Sequence, residues 1–260
     1  MTVFIGVHTI KGGVGKTSLA INLTSALVQF HQKVILVDCH LTKPNISLYL
    51  GLTNLRRTIQ SVLAGQHYIQ DSIVEHPSGI KVIAGEHSES IPKVSKEKMS
   101  ETILDLSQKA DLVIVDPPNE LEEAEKSLSA CDSVIVVSTP DLVSLTDAAK
   151  SASYLRERGI SILGLVITKH TKNAEYSIQH MEKIVGYPVI GIIPDDTQIQ
   201  KAQQIRHPLP FVDYQSPATH AYKKLAAKLI GQTYVPSVTH KQSFFSYVLE
   251  RMGLKDPKLE

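Results

Sequence analysis

The stretch TIKGGVGKTS, residues 9–18, decides the fold. Glycines at 12, 13 and 15 crowd one short run, and Lys16 and Thr17 follow directly. Glycines let backbone N–H groups curl around phosphate oxygens, and a helix that starts there adds a favourable field. A lysine closing such a loop reaches the terminal phosphates of a nucleotide, and the hydroxyl after it ligates magnesium. Gly12, Gly13, Val14, Gly15, Lys16, Thr17 and Ser18 are therefore expected to bind nucleotide, with Thr17 as a metal ligand. The bland alternative is a glycine turn that binds nothing, and the order strand, glycine loop, helix argues against it. One position departs from the generic G-x-x-x-x-G-K-[ST] pattern, because Ile10 stands at its first glycine. A second lysine, Lys11, has no task in a loop built only to grip phosphate.

Working outward, VFIGVHT (3–9) precedes the loop, and SLAINLTSALVQF (18–30) follows it as an amphipathic segment. The runs VILVD (34–38), IKVIA (80–84), LVIVD (112–116), SVIVVS (133–138), ILGLVIT (162–168) and VIGIIP (189–194) are apolar throughout and rich in β-branched residues. Strands of that kind are buried on both faces, as in a parallel sheet covered by helices. Helical patterns alternate with them, among them 142–159 and 173–186. The expected fold is α/β, a doubly wound, mostly parallel sheet of about seven to eight strands flanked by helices. In such sheets ligands sit beyond the carboxyl ends of the strands, so the polar residues ending these runs matter most. The last sheet-packing helix is expected at 217–230, capped by Ser216, begun by Pro217 and ended by Gly231.

The 260 residues show no composition break, and one large domain over 1–231 is expected, with a linker at 232–240 and a tail at 241–260. The net charge of +1 gives no global reason to expect a nucleic-acid surface. Cys39 and Cys131 are too few and too far apart for a disulfide framework or a zinc knuckle, which favours a reduced, cytoplasmic protein. No signal-peptide pattern opens the sequence, and no apolar run approaches the roughly 20 residues needed to span a bilayer. Membrane contact, if any, is expected from the surface.

The loop x-K-G-G-x-G-K-[TS] resembles that of the MinD/ParA family of deviant Walker A P-loop ATPases, nearest to its MinD-type, division-site-positioning members. The resemblance covers nearly the whole chain. It implies ATP and Mg2+ as ligands, ATP hydrolysis, and an ATP-bound homodimer in which Lys11 reaches the phosphates held by the partner subunit. VILVDCHLTKPNISLYLGL (34–52) is similar to the family's second strand and switch I, with Asp38 holding a magnesium-bound water and Asn45 in the switch. DLVIVDPPNEL (111–121) is similar to the Walker B strand and switch II, with Asp116 near magnesium. A carboxylate ending a wholly apolar strand is costly without a nearby cation. STPDLVSLTDAAK (138–150) resembles the dimer-face helix, where Asp147 matches an aspartate that contacts the trans lysine. IIPDDTQIQKAQQIRHPL (192–209) resembles the loop that closes over the base, with Pro194 and Asp196 nearest it.

Two positions depart from that pattern. Where much of the family has a second switch I aspartate that orients the attacking water, this chain has His40. A neutral imidazole accepts a hydrogen bond but brings no fixed negative charge, so slow hydrolysis is one expectation and a solvent-facing switch residue the other. Thr168 stands where many relatives carry an adenine-reading asparagine; its hydroxyl is expected to bind the nucleotide by bonding one edge of the base, less specifically than a carboxamide, so preference for adenine rests on the resemblance.

In the tail, Phe244, Phe245, Val248, Leu249 and Met252 form one stripe on a helix. Beyond a linker, such a stripe resembles the membrane-targeting helix that ends MinD proteins and lies flat in the lipid interface. The competing expectation is that it packs on protein. One weak anchor binds marginally, so dimerisation that doubles it would act as a switch. The leading expectation is thus a MinD-like ATPase, cytoplasmic and peripheral on the inner face of the cell membrane, with an unidentified protein regulator or cargo. A ParA-like partitioning ATPase is the alternative, though near-neutral charge argues against DNA as a partner. A slowly hydrolysing, nucleotide-gated scaffold is another. An iron–sulfur carrier needs a cysteine pair that Cys39 and Cys131 do not supply.

Overall fold

Every apolar run of the sequence named above becomes a strand of one sheet in the computed structural model, which describes residues 1–87 and 92–236. The strands are β1 (Val3–His8), β2 (Val34–Asp38), β3 (Val74–Glu75), β4 (Lys81–Ile83), β5 (Leu112–Asp116), β6 (Ser133–Ser138), β7 (Ile162–His170) and β8 (Val189–Pro194). They lie in the order β3-β4-β2-β5-β1-β6-β7-β8, and all neighbours are parallel except β3 with β4. The expectation of a doubly wound, mostly parallel sheet of about seven to eight strands holds, the sheet having eight. Its one unforeseen strand is β3, a two-residue antiparallel edge.

Ten α-helices cover the described sheet: α1 (Lys16–Gln29), α2 (Ile46–Leu50), α3 (Ile59–Leu63), α4 (Lys96–Leu104), α5 (Leu121–Leu128), α6 (Leu142–Glu157), α7 (Ile178–Val185), α8 (Thr197–Gln204), α9 (Leu209–Val212) and α10 (Pro217–Leu229). Side chains alternate across a strand. Accordingly Leu36, Ile114, Ile135 and Val166 pack with α1, α9 and α10, while their neighbours Val37, Val115, Val136 and Ile167 face the opposite layer. That layer has two halves, α3 and α4 over one end of the sheet and α5 to α7 over the other.

Boundaries moved where caps dictate them. The helix expected at 173–186 begins only after Ser177, whose hydroxyl accepts from the His180 amide, and it stops at Gly186 in a left-handed turn. Helix α1 begins at Lys16, two residues earlier than its apolar pattern. Ser216 caps α10 as expected, accepting from the amides of Ala218 and Thr219. At the start of the expected linker, Tyr234 turns back onto the domain. Its hydroxyl lies 2.7 Å from His220 Nδ1, and its ring meets Phe30 edge to face. The stripe of Phe244, Phe245, Val248, Leu249 and Met252 lies outside the described residues. Among the described residues no helix is long and apolar enough to cross a membrane.

Candidate functional site

The glycine loop joins β1 to α1 at the carboxyl end of the sheet, with β5 and β6 on either side of β1. Gly13 and Gly15 adopt φ of 79° and 89°, a left-handed backbone that favours glycine. A Cβ on Gly13 would meet open space, so the backbone there faces a cavity directly. Gly15 caps α1 with no side chain, which leaves the first-turn amides without a side-chain acceptor. An anion-binding cradle needs this arrangement. The cavity above it encloses about 410 Å³ and is lined by Lys11, Lys16, Thr17, Ser18, His40 and Lys43, among others.

The loop is braced from below by the end of β7. Thr168 is buried, and its hydroxyl lies 2.5 Å from the Val14 carbonyl and 3.2 Å from that of Ser138. Lys169, at φ 50°, folds back to donate to the Gly13 carbonyl at 2.7 Å. Thr168 thus sits beneath the phosphate loop, with its hydroxyl engaged there rather than directed at a base. Replacing it with valine keeps the shape and removes the donor. The expected result is a loss of about 1 kcal/mol in stability and weaker ADP binding, measured by thermal melts and titration. Unchanged values would show that the brace is idle.

Lys16 is the buried charge of the site. Its Nζ donates to Asp116 Oδ1 at 2.6 Å and to the Pro117 carbonyl, and both partners of the ion pair are nearly sealed from solvent, at 7% and 2% exposure. The other oxygen of Asp116 accepts from the Thr17 hydroxyl at 2.7 Å. Asp38 and Asp116 are register partners on β2 and β5. Burial and then the Asp116 charge push the Asp38 carboxyl up to about 7, against the hydrogen bonds it accepts. Two carboxylates and a hydroxyl converge where negative charge exceeds what Lys16 neutralises. Oxygen donors of this kind suit a hard divalent cation. Thr17, Asp116 and Asp38 are therefore the residues that would hold Mg2+, directly or through its waters, and the ion would supply charge neutralisation at the phosphates.

Asp38 also organises the turn after β2. One oxygen accepts from the His40 amide and the other from the amides of Asn45 and Ile46, each at 3.1 Å, so the carboxylate sits at the start of α2. His40 lines the cavity, and Lys43 N–H donates to its Nδ1 at 3.1 Å. Burial, then the Lys16 charge, lowers its pKa from the ordinary value.

Lys11 stands on the rim, half-exposed, with its Nζ 2.7 Å from Ser144 Oγ and 3.1 Å from Asp141 Oδ1. Burial raises the Asp141 carboxyl, but the hydroxyls of Thr139 and Ser144, the Ser144 amide and Lys11 outweigh it and hold the acid low. Asp147 lies further along α6 and pairs with Lys150 at 3.2 Å, so within one chain Lys11 and Asp147 are not brought together. Asp196 caps α8 through the Gln198 amide and accepts from Ser216 Oγ at 2.6 Å, which pins the loop after Pro194 to the start of α10. Its burial raises its pKa, yet these bonds win and the acid is shifted down.

Sequence reasoning passed over His8, which ends β1 under the loop. It is wholly buried, and neither ring nitrogen has a hydrogen-bond partner. The Pro118 carbonyl approaches without forming such a bond. Burial first, and the Lys16 charge second, drive its pKa down to about 3. Asp141 was missed too, though its place before LVS is an N-cap signal.

A left-handed glycine cradle at a helix start, a buried lysine and paired strand-end carboxylates define a nucleotide-binding α/β protein of the phosphate-loop class. The CobQ/CobB/MinD/ParA nucleotide binding domain family matches residues 5–209, and the chain belongs to that family. It is 33% identical over 248 residues to an uncharacterized ATP-binding protein of Methanocaldococcus jannaschii, with 94% of each chain covered. It is 26% identical over 248 residues to the septum site-determining protein MinD of Bacillus subtilis, covering 90% of this chain and 91% of that one. Among solved structures, the septum site-determining protein MinD of Pyrococcus horikoshii complexed with Mg-ADP superposes with a TM-score of 0.83 at 28% identity. That match covers 88% of this chain and 96% of the other.

Proposed function

We propose that this chain is a MinD-like ATPase that dimerises around bound ATP and, as a dimer, associates reversibly with a membrane surface to position the division site or another surface structure. The observation that carries this reading is Lys11. Lys16 already serves the loop's own phosphates, and Lys11 stands at the rim, held by Asp141 and Ser144 beside the solvent-exposed Leu142 (51%) and Val143 (63%). A lysine parked on an exposed, partly apolar helix start is placed to leave its carboxylate for a triphosphate across a two-fold interface. Two triphosphates facing each other need cations supplied from both subunits. Asp147, on the same helix, lies on the face such a partner would meet. In this reading ATP is the substrate, its γ-phosphoryl passes to water, and ADP and phosphate leave. Lys16 and the loop amides hold the phosphates, and Thr17, Asp38 and Asp116 hold magnesium. The loop around Pro194 and Asp196 borders the base, and Thr168 acts from below through the loop.

Segment 241–260, with Phe244, Phe245, Val248, Leu249 and Met252 as its apolar stripe, is the membrane anchor of this proposal. Sedimentation with anionic liposomes tests it. The full chain with ATP and Mg2+ is expected to pellet, and with ADP to remain in the supernatant. Phe244→Ser combined with Phe245→Ser, or removal of 241–260, is expected to abolish the ATP-dependent fraction. A chain that stays in solution in both nucleotide states would defeat the membrane reading. Salt-sensitive retention on DNA in its place would favour a partitioning ATPase.

A further inference from the structure

We infer that His40 meets the nucleotide as a hydrogen-bond donor, through Nε2–H, and so recognises a terminal phosphate oxygen rather than orienting an attacking water by accepting from it. This rests on the nucleotide reading above and adds a role that the aspartate expected at this position could not fill. A carboxylate accepts only, whereas a neutral imidazole has one donor and one acceptor nitrogen whose assignment depends on what each meets.

The assignment follows from the turn after β2. The backbone N–H of Lys43 donates to His40 Nδ1 at 3.1 Å. A main-chain amide donates only, so Nδ1 must offer a lone pair. That excludes both the Nδ1–H tautomer and the imidazolium while this bond exists. The Thr42 hydroxyl, 3.2 Å from the same nitrogen, can rotate to donate as well. The proton of the neutral ring is therefore on Nε2. The turn is itself anchored, since the His40 amide donates to Asp38 Oδ1 and the amides of Asn45 and Ile46 donate to Oδ2. His40 thus has its backbone and one ring nitrogen engaged, and the residue lines the cavity with Lys11, Lys16 and Lys43 as well as the adjoining one with Leu41 and Met99; in this inference the remaining Nε2–H serves the first. Those cations mark where phosphate charge accumulates. Glu120 is the acid lining the same cavity, and its charge favours the protonated imidazole and opposes an incoming phosphate.

Lys43 contributes to the site in a second way. Its amide sets the imidazole, and its side chain lines the cavity. Switch I thereby presents two donors to a terminal phosphate where an aspartate would present an acceptor to water. A triphosphate bound this way is gripped more firmly than a diphosphate. Its hydrolysis lacks an acceptor from this residue, so the ATP state is long-lived.

Two measurements test the inference. Long-range 1H–15N spectra of the full chain, with His40 assigned by its loss in His40→Asn, should show a protonated Nε2 and a bare Nδ1. The opposite tautomer, or rapid exchange between the two, would overturn the proposal without reference to any nucleotide. Binding of fluorescent ADP and of a fluorescent nonhydrolysable ATP analogue, each with Mg2+, gives the second readout. His40→Asn can keep an acceptor for the Lys43 amide but is too short to reach outward, whereas His40→Gln restores an outward carboxamide donor. Expected is about a tenfold loss of affinity for the triphosphate analogue in His40→Asn and His40→Asp, with ADP affinity within about twofold of wild type and partial recovery in His40→Gln. His40→Asp binding the triphosphate as well as wild type, or His40→Asn weakening both nucleotides equally, would refute the donor role. A wild-type chain that binds neither nucleotide would refute the nucleotide reading itself, a distinct result that removes this inference with it.

Discussion

Replacing Lys16 with methionine is expected to abolish measurable nucleotide binding and also to destabilise the nucleotide-free fold by about 3–5 kcal/mol. The first effect follows from the loop. The second follows from what Lys16 touches without a ligand. Its ammonium is the partner of a carboxylate that is 2% exposed, and it also donates to the Pro117 carbonyl. Methionine fills similar volume but leaves Asp116 beside Asp38 with one compensating cation gone. Breaking a buried pair by removing one partner leaves the other charge uncompensated, which is why the penalty exceeds the net worth of the pair. The neighbouring carboxyl sharpens the expectation. Asp38 already sits up at about 7, chiefly through burial and then through Asp116. Without the Lys16 charge, which lowers it, the Asp38 carboxyl would stay protonated to higher pH, so the penalty should grow from pH 6 to pH 9.

A double substitution separates the two roles. Lys16→Met with Asp116→Asn removes both charges, and stability is expected to recover by more than half while nucleotide binding stays lost. Urea unfolding of the four proteins without nucleotide, alongside titration with fluorescent ADP, provides the measurement. A Lys16→Met chain as stable as wild type at pH 8 would show that the ion pair contributes nothing to the empty fold. The Asp116 carboxylate would then be solvated by some route the burial does not suggest.

Much of this site was legible in the sequence because its parts are local. The glycine loop, Lys16 and Thr17 are contiguous, and Asp38 and Asp116 each end an apolar run, so a strand reading places them at one edge of the sheet. Strand β3 was not legible, because two residues carry no period and its partner is set by the sheet edge. Thr168 illustrates a different limit. Position in the strand said that it faces the site, but only packing told that its hydroxyl is 2.5 Å from Val14 carbonyl oxygen and holds the loop. Lys11 is similar. Its type and place announced a role beyond the loop, yet the acid it meets in a single chain is Asp141 at the helix cap, one turn or more before the expected Asp147. Contacts between a loop and a helix 130 residues later depend on three-dimensional register, which motif spacing does not encode.

His8 was invisible for a related reason, since a histidine in an apolar strand looks like an ordinary core residue until its surroundings are known. Its burial makes a sharp expectation about acid stability. The native ring stays neutral down to about 3, whereas an unfolded chain takes up that proton below the ordinary value of 6.5. The unfolded state therefore binds more protons throughout that window, and stability falls as pH drops from 6.5 toward 3. At pH 4 the contribution is on the order of 3 kcal/mol, at about 1.4 kcal/mol for each unit of separation. Asp38 acts in the opposite sense. Its folded value of about 7 lies above the 3.8 of an unperturbed group, so it adds stability as pH falls through the same range. The observable is thus the difference between wild type and His8→Leu, in which Asp38 is common to both. Leucine has similar volume and no polar atoms, and removing two unpartnered buried nitrogens relieves a desolvation penalty. At pH 7 the variant is expected to match or exceed wild type in urea unfolding. Between pH 6.5 and 4 its stability should fall less steeply, the two curves separating by a few kcal/mol at the acid end. Parallel curves would mean that His8 finds a proton acceptor in the native state, for which the Pro118 backbone is a candidate.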